Sequence, residues 1–390
     1  MKFCSDDRAQ SIQVGAVLLF GFLILALTLY QAQGVPEENR QVEFEHSQQV
    51  GNEMVDLYTA VFDTVVDGEP RTATITLGTE YNNRLFFIYP PPASGTLQTT
   101  ADKPVRLHNV TSVTHPDTNQ SFDNYWDNST RTYTTQAITY SPNYRELRGT
   151  ADYRIEYGML AALYDESNVT ELRLAENHHP IVTDDDETDG VADIDLVLID
   201  GDLQSVDTDA ESVIPERATE STEVTVTNGS HDGPITLKLP TELPADTWEL
   251  GRNSSVFDDT EYVENVSVSD GNTTIQLNGT EEDGSPREYN LTVHKVDVGS
   301  GATEAEPRYL QNVSYDDPTL NFTVRDRFND PVEEEVDVWV SNETGPIIKN
   351  STSDSQIKSV NISVIDDPCG VVLNDEFGES YEQINVTGAC

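Results

Sequence analysis

The residues best equipped for chemistry in this 390-residue chain are carboxylates. In DDDETDGVADID, Asp185, Glu187 and Asp189 alternate up to Gly190, and Asp193 and Asp195 follow. Alternating carboxylates on a glycine turn can wrap a hard cation such as calcium. The glutamate that closes an EF-hand loop would fall on Leu196, so the match is partial, and the stretch reads first as an acidic solvated loop. His178 and His179 in ENHHP are the other potential ligands. Neighbours on a strand point to opposite faces, and no other histidine has the spacing to complete a site. Gly-x-Ser-x-Gly, His-Glu-x-x-His and a phosphate-binding glycine loop are all absent from the sequence. These features predict a non-enzymatic protein without cofactor or resident metal. Of three cysteines, Cys369 and Cys390 have 20 residues between them. In an oxidising compartment they can close a disulfide; the alternative is two free thiols. Cys4 has only Met-Lys-Phe before it, which argues against lipidation.

A second chemistry is more insistent. Asn-x-Ser/Thr acceptors for N-glycosylation begin at Asn109, Asn119, Asn128, Asn168, Asn228, Asn253, Asn265 and Asn272. They continue at Asn278, Asn290, Asn312, Asn321, Asn342, Asn350, Asn361 and Asn385. That is 16 of 25 asparagines. Ser plus Thr fill about 17% of positions, so chance gives roughly four. The excess predicts a glycosylated exterior with sugars on strand edges and loops. The alternative is a Thr-rich β protein whose asparagines mark turns.

The charge balance fits an exterior. Seventy acids against 22 bases give a net charge of -48. Phosphate backbones and anionic lipid surfaces would be repelled, so nucleic acid is excluded as a partner. Self-repulsion on this scale weakens a compact state at low ionic strength, and molar salt screens it to within roughly 3 Å. The composition predicts adaptation to very high salt.

The elements that must carry these groups begin with MKFCSDDRAQSIQVGAVLLFGFLILALTLYQAQGVPEENR. No charged residue lies between Arg8 and Glu37. As a helix, the 24 residues from Gln10 to Gln33 span about 36 Å, enough for a hydrocarbon core of about 30 Å. A secretory signal has a shorter apolar run, although Ala32-Gln33-Gly34 is a candidate cleavage site. Lys2 and Arg8 before the helix, and Glu37 and Glu38 after it, predict a cytoplasmic N-terminus with the bulk of the chain outside.

The stretch Asp7-Arg8-Ala9-Gln10-Ser11-Ile12-Gln13-Val14-Gly15, with the AVLLFGFLILALTLY that follows, resembles the class III signal peptides of archaellins and type IV pilin-like proteins. The resemblance implies cleavage between Ala9 and Gln10, with the apolar helix retained on the mature protein. The fifth residue after that cut is Val14, where many pilins carry glutamate. Acidity and this N-terminus together resemble membrane-anchored surface proteins of halophilic archaea.

Beyond the membrane segment, Val50, Met54, Leu57, Val61 and Val65 recur at helical spacing, and Asp67-Gly68-Glu69-Pro70 ends the pattern. Gly34-Val35-Pro36 predicts a kink or break where the helix leaves the membrane. Short alternating runs such as TATITLG, TYTTQAITY, PITLKLP and REYNLTVHKVDV predict strands. Residues 151–166 fit strand or helix, and Met159-Leu160-Ala161-Ala162-Leu163 favours a short helix. Twelve acids without a base between Asp184 and Glu211 suggest a boundary near Asp207–Pro215, and GSGATEAEP at 299–307 suggests a linker. The last unit contains LNFTVRDRFNDPVEEEVDVWVSNETG, whose strand–turn–strand pattern resembles the invasin-type Ig-like repeat.

The expected fold is mainly β: a transmembrane helix and helical stem followed by β-sandwich-like domains. The expected segments are a leader (1–9), the membrane helix (10–33), the stem (34–68), β domains at 69–212 and 213–305, and an Ig-like domain at 306–390. The expected function is display of glycosylated β domains at the cell surface, with membrane lipid and other surface or pilin-like proteins as partners. The alternatives are a minor filament subunit processed before Gln10, and a secreted carbohydrate-active or carbohydrate-binding β protein.

Overall fold

The computed structural model describes residues 7–84, 90–113, 126, 130–164, 169–172, 181–183, 191–219, 221–228, 233–248, 261–281, 284–299, 309–316, 318–332, 337–342, 345–351, 356–361, 370–374 and 380–381. The chain opens with helix α1 (Asp7–Leu29), a five-residue π turn (Tyr30–Gly34) and helix α2 (Val35–Asp67). Everything after α2 is built on strands. First come β1 (Ala73–Thr76), β2 (Ser94–Thr99), β3 (Lys103–His108), β4 (Thr111–Ser112), β5 (Arg131–Thr135), β6 (Ile138–Asn143), β7 (Asp152–Glu156), β8 (Met159–Tyr164) and β9 (Val169–Leu172). Then come β10 (Val182–Thr183), β11 (Ala192–Asp200), β12 (Gln204–Asp207), β13 (Ala210–Val213), β14 (Pro215–Arg217), β15 (Val224–Thr227), β16 (Thr236–Pro240), β17 (Val263–Ser269), β18 (Asn272–Leu277) and β19 (Glu288–Val298). The C-terminal strands are β20 (Tyr309–Asp316), β21 (Thr319–Arg325), β22 (Asp337–Asn342), β23 (Gly345–Ser351), β24 (Ile357–Asn361), β25 (Gly370–Asn374) and β26 (Ser380–Tyr381).

The expected boundary near residue 213 does not separate two sheets. One sheet runs β10-β11-β19-β15-β4, another β12-β2-β6-β7-β8-β9, and a third β17-β18-β16-β3-β5. Strands from 69–212 and from 213–298 therefore share two of the three. Periodicity locates strands but not their partners, which is why an acidic run looked like a boundary.

The centre of the head is the pair β11 and β19, parallel over nine residues from Ala192↔Tyr289 to Asp200↔Asp297. Parallel strands need a long crossover and usually bury both faces. One face, with Ile194, Leu196, Leu198, Leu291 and Val293, joins a core with Leu107 of β3, Leu237 of β16 and Ile275 of β18. The other face, with Val197, Ile199, Val296 and Val298, joins a second core with helix α2. The near-continuous apolar run Ile194–Ile199 records this double burial.

Residues 152–164 form a hairpin rather than the expected helix: β7 and β8 pair antiparallel around Tyr157-Gly158, at φ 45° and 79°. Met159 and Ala161 enter the first core while Leu160 and Ala162 enter the second. Burial on alternate faces outweighs the helix propensity of Met, Leu and Ala.

The C-terminal strands form two smaller antiparallel sheets, β20-β21-β24 and β23-β22-β25-β26. The turn after β21 plugs into the head. Phe328 joins the first core and packs on Tyr133 with ring centroids 5.4 Å apart. The Ser221 N–H donates to Asp330 Oδ1 at 2.5 Å. Trp126 and Trp248 are buried in the first core.

Candidate functional site

The candidate site is the N-terminal helix and its seat on the head. Helix α1 has no polar stripe: Val17, Leu19 and Phe22 point in different directions around it, and all stay exposed, Leu19 by 73%. It is one helix long and apolar enough to cross a membrane, and none of its most apolar window is covered by the rest of the chain. The expected break at Gly34-Val35-Pro36 is instead one π turn. The Val35 N–H donates to the Tyr30 carbonyl five residues back. Pro36, lacking an N–H, then follows without breaking the helix. At Gly34 the Tyr30 ring lies so close that a Cβ would meet it at 2.7 Å, so glycine lets the ring fold along the turn.

Helix α2 is different on each side. Val50, Met54, Leu57, Tyr58 and Val61 are wholly buried and Val65 nearly so, while Val66 is 62% exposed. The seam continues toward α1 at the same spacing with Asn39, Glu43 and His46, all buried. Sequence reasoning missed these three because a stripe was sought in apolar residues only. The signal was present in their spacing from Val50.

Each buried polar group of this seam is paired. Glu43 accepts backbone N–H bonds from Arg145 (2.8 Å), Glu146 (2.9 Å) and Leu147 (2.6 Å), and Tyr81 donates its hydroxyl to the same carboxylate. Burial pushes the Tyr81 hydroxyl above its usual value, and the hydrogen bond to Glu43 adds to the shift. His46 Nε2 lies 3.0 Å from the Thr76 carbonyl, which only accepts, so Nε2 carries the proton. Nδ1 then accepts from the Tyr144 hydroxyl at 2.6 Å. Burial lowers the His46 pKa, against opposing pulls from Thr76 and Glu53. Glu53 Oε2 accepts from the Thr76 N–H at 2.6 Å, and Tyr58 donates to the Gly158 carbonyl at 2.9 Å.

One contact bridges the halves of the helix: Tyr30 donates to Glu38 at 2.5 Å. Arg84 from the head then ties the start of α2 down, donating to Glu38 at 2.8 Å and to Asn39 at 3.2 Å. At the far end, Gly68 at φ 71° caps α2 with its N–H on the Thr64 carbonyl.

Carboxylates also meet elsewhere. Arg154 bonds Glu156 at 2.5 Å and Glu242 at 2.9 Å, and Lys103 holds Glu242 at 2.6 Å. Both glutamates are thereby engaged in ion pairs. Of the calcium-loop candidates, Asp193 sits on β11, its backbone in the ladder opposite Thr183 and Asn290. Asp185, Glu187 and Asp189 lie outside the described residues, as do His178, His179, Cys4, Cys369 and Cys390. Among the described residues no group of three or more His, Cys, Asp or Glu is placed to hold a metal ion.

Of the glycosylation candidates, Asn265, Asn312 and Asn361 are exposed, and Asn109, Asn228, Asn272, Asn278, Asn290 and Asn321 are partly exposed. Asn342 and Asn350 lie on strands β22 and β23. Asn119, Asn128, Asn168, Asn253 and Asn385 lie outside the described residues. The Asn109 and Asn228 side-chain amides donate to the Pro234 and Gly233 carbonyls, which ties up the nitrogen that a sugar would need.

No protein-family model matches the chain, and no solved structure matches it. An uncharacterized protein of Archaeoglobus fulgidus is 32% identical over 139 residues, which is 36% of this chain and 22% of that protein. The chain thus spans about a fifth of the length of that relative.

Proposed function

We propose that this chain is a single-pass surface protein. Helix α1 crosses the membrane, the N-terminus lies in the cytoplasm, and the β head stands outside. The observation that carries this reading is the contrast within one continuous helix, bare and apolar up to Leu29 and seated in the head from Val35 onward. Lipid is the solvent that covers such a surface without a protein partner. The role is display and contact through β surfaces and glycans rather than turnover, and the C-terminal sheets supply an Ig-like outer unit. The archaeal relative is consistent with an archaeal source.

The net charge of -48 supports a briny medium, where screening removes most of the self-repulsion. The exposed Asn312 and Asn361 are the preferred acceptors, and Asn109, Asn228, Asn272 and Asn278, whose amides donate to backbone carbonyls, the least favoured. Mass spectrometry of the N-terminus and acceptor sites of protein from isolated membranes tests the reading. The expected result is membrane recovery with sugar on exposed acceptors. A sugar-free chain in the cytosol overturns it.

A filament subunit is the second reading, favoured by the all-round exposure of α1, which identical helices can cover as well as lipid does. Processing before Gln10 and recovery in sheared filaments would establish it. Intact Met1 in the membrane fraction would exclude it.

A further inference from the structure

Over the whole chain 70 acids stand against 22 bases, but one sheet inverts that balance. Strands β17, β18, β16, β3 and β5 hold a single acid, Glu264, against four bases, Lys103, Arg106, Arg131 and Lys238. Glu264 falls in the bulge of edge strand β17, between Val263 and Asn265. Lys103 is paired with Glu242, and Arg131 lies over the buried Trp126 ring, 5.8 Å from its centroid. One face of this sheet, with Leu107, Tyr133, Leu237 and Ile275, belongs to the first core. On the opposite face a ladder row crosses all five strands: Ser267, Thr274, Lys238, Arg106 and Thr132, each directly opposite the next. At about 4.8 Å per strand gap, the row runs roughly 19 Å. Its two ends are exposed and its middle three residues partly exposed.

Arg106 and Lys238 thus face each other across the ladder, and among the described residues no carboxylate pairs with either. Like charges directly opposite each other destabilise a ladder. His108, two residues along β3 and opposite Thr236, meets Thr130 Oγ1 through Nδ1 at 2.8 Å. Burial, and then Arg106 and Lys238, lowers its pKa, so it stands neutral beside the two cations. Arg327, from the turn after β21, reaches the β5 edge of the row and donates to the Thr132 carbonyl at 3.4 Å. Two facing cations on a partly exposed face, in a chain so rich in acids, are placed for an anion from outside.

We propose that this row is a docking site for a carboxylated polysaccharide, which lies across the strands with one carboxylate seated between Arg106 and Lys238. The guanidinium fork of Arg106 matches a carboxylate, and Lys238 adds a point charge. Thr132 on one side, and Thr274 and Ser267 on the other, flank the pair with hydroxyls suited to the sugar units on either side. In molar salt the field of the other acids reaches only roughly 3 Å, so the net charge of -48 does not turn away a polymer that touches the row. The row has no apolar or aromatic side chain of the kind that anchors a protein interface, and no ring on which a nucleic-acid base could stack.

Access to such a polymer rests on the surface reading above, but binding by the purified chain does not. Failure to bind leaves the membrane position standing, and a cytosolic chain leaves the binding result unchanged.

The test is isothermal titration of the full-length chain, in detergent and molar salt, with an oligogalacturonate and with the same oligomer fully methyl-esterified. The expected result is binding of the acid form, with the ester about tenfold weaker or more. Arg106→Thr combined with Lys238→Thr weakens the acid form by about tenfold or more, while Arg148→Thr, on the exposed loop after β6, leaves it unchanged. Without polymer, Lys238→Thr holds or raises the urea midpoint, because it relieves the facing charges. No binding by folded wild-type chain, equal binding of acid and ester, or full affinity in the double variant overturns the proposal. The acid–ester comparison on wild-type chain decides it even if the double variant fails to fold. Copies that associate with one another, and are dispersed by the double variant, would make a second copy the occupant and overturn it as well.

Discussion

Helices α1 and α2 are two stretches of one near-continuous helix, yet they solve opposite problems. From Val14 to Leu29, α1 carries apolar or small side chains on every side, Thr28 apart, so no face is special. In α2 one seam is buried and the rest is wet. The seam grades from apolar residues at Val50–Val65 to hydrogen-bonded polar ones at Asn39, Glu43 and His46 as it nears α1. Apolar packing holds the far end, and directional bonds fix the end beside α1. A graded seam of this kind fixes how α2 sits on the head, because Glu43 accepts from three successive N–H groups of the 145–147 loop.

Substitutions sharpen the contrast, and the largest effect belongs to charge. Leu19→Arg with Phe22→Arg costs about 2.5–3.5 kcal/mol of insertion for each arginine at the helix centre. Membrane recovery should collapse while the denaturation midpoint of the head is unchanged. A head that melts earlier would mean that α1 packs on protein. Next is Leu57→Ala, which removes a wholly buried side chain and should cost about 2–5 kcal/mol of head stability. Its neighbour on the wet face, Val66→Ala, should stay within about 0.5 kcal/mol, both read by urea unfolding in molar salt. Equal effects at the two positions would erase the seam.

Glu43→Gln comes third. The amide keeps one acceptor and loses the charge, leaving an N–H of the 145–147 loop unpaired, with an expected cost of about 1–3 kcal/mol. Amide exchange of Arg145, Glu146 and Leu147 should speed up, while exchange in β11 stays slow. The smallest effect is the protonation of His46. Its folded pKa is lowered, so the unfolded chain binds the proton first. Stability therefore falls as pH drops through about 6.5, and the loss is complete below the folded value. His46→Gln should flatten that part of the stability–pH curve; an unchanged slope would move the effect to another group.

The sequence revealed the two helices for different reasons. Composition alone marks α1, and the spacing of Val50, Met54, Leu57, Val61 and Val65 marks α2. Strands such as β15, β16 and β19 were legible from alternation. Their partners were not, since β11 and β19 pair across a long crossover and no local feature announces it. The β7–β8 hairpin was legible only as strand or helix, since Met159–Leu163 carries helix formers, and burial on both faces makes it a strand. At the seat, Glu43 and His46 stood in register with the apolar stripe but were hidden by their polarity. The buried ion pair of Lys295 with Asp200, Nζ to Oδ2 at 2.6 Å, depends wholly on the pairing of β19 with β11, so the sequence held no sign of it.

The most direct measurement is protease digestion of intact cells, followed by mass spectrometry of what stays in the membrane pellet. The account predicts that peptides from the β head are shaved off while a fragment carrying α1 remains with the lipid. A chain untouched until the cells are broken, or a fragment carrying α1 recovered in the soluble fraction, would contradict it.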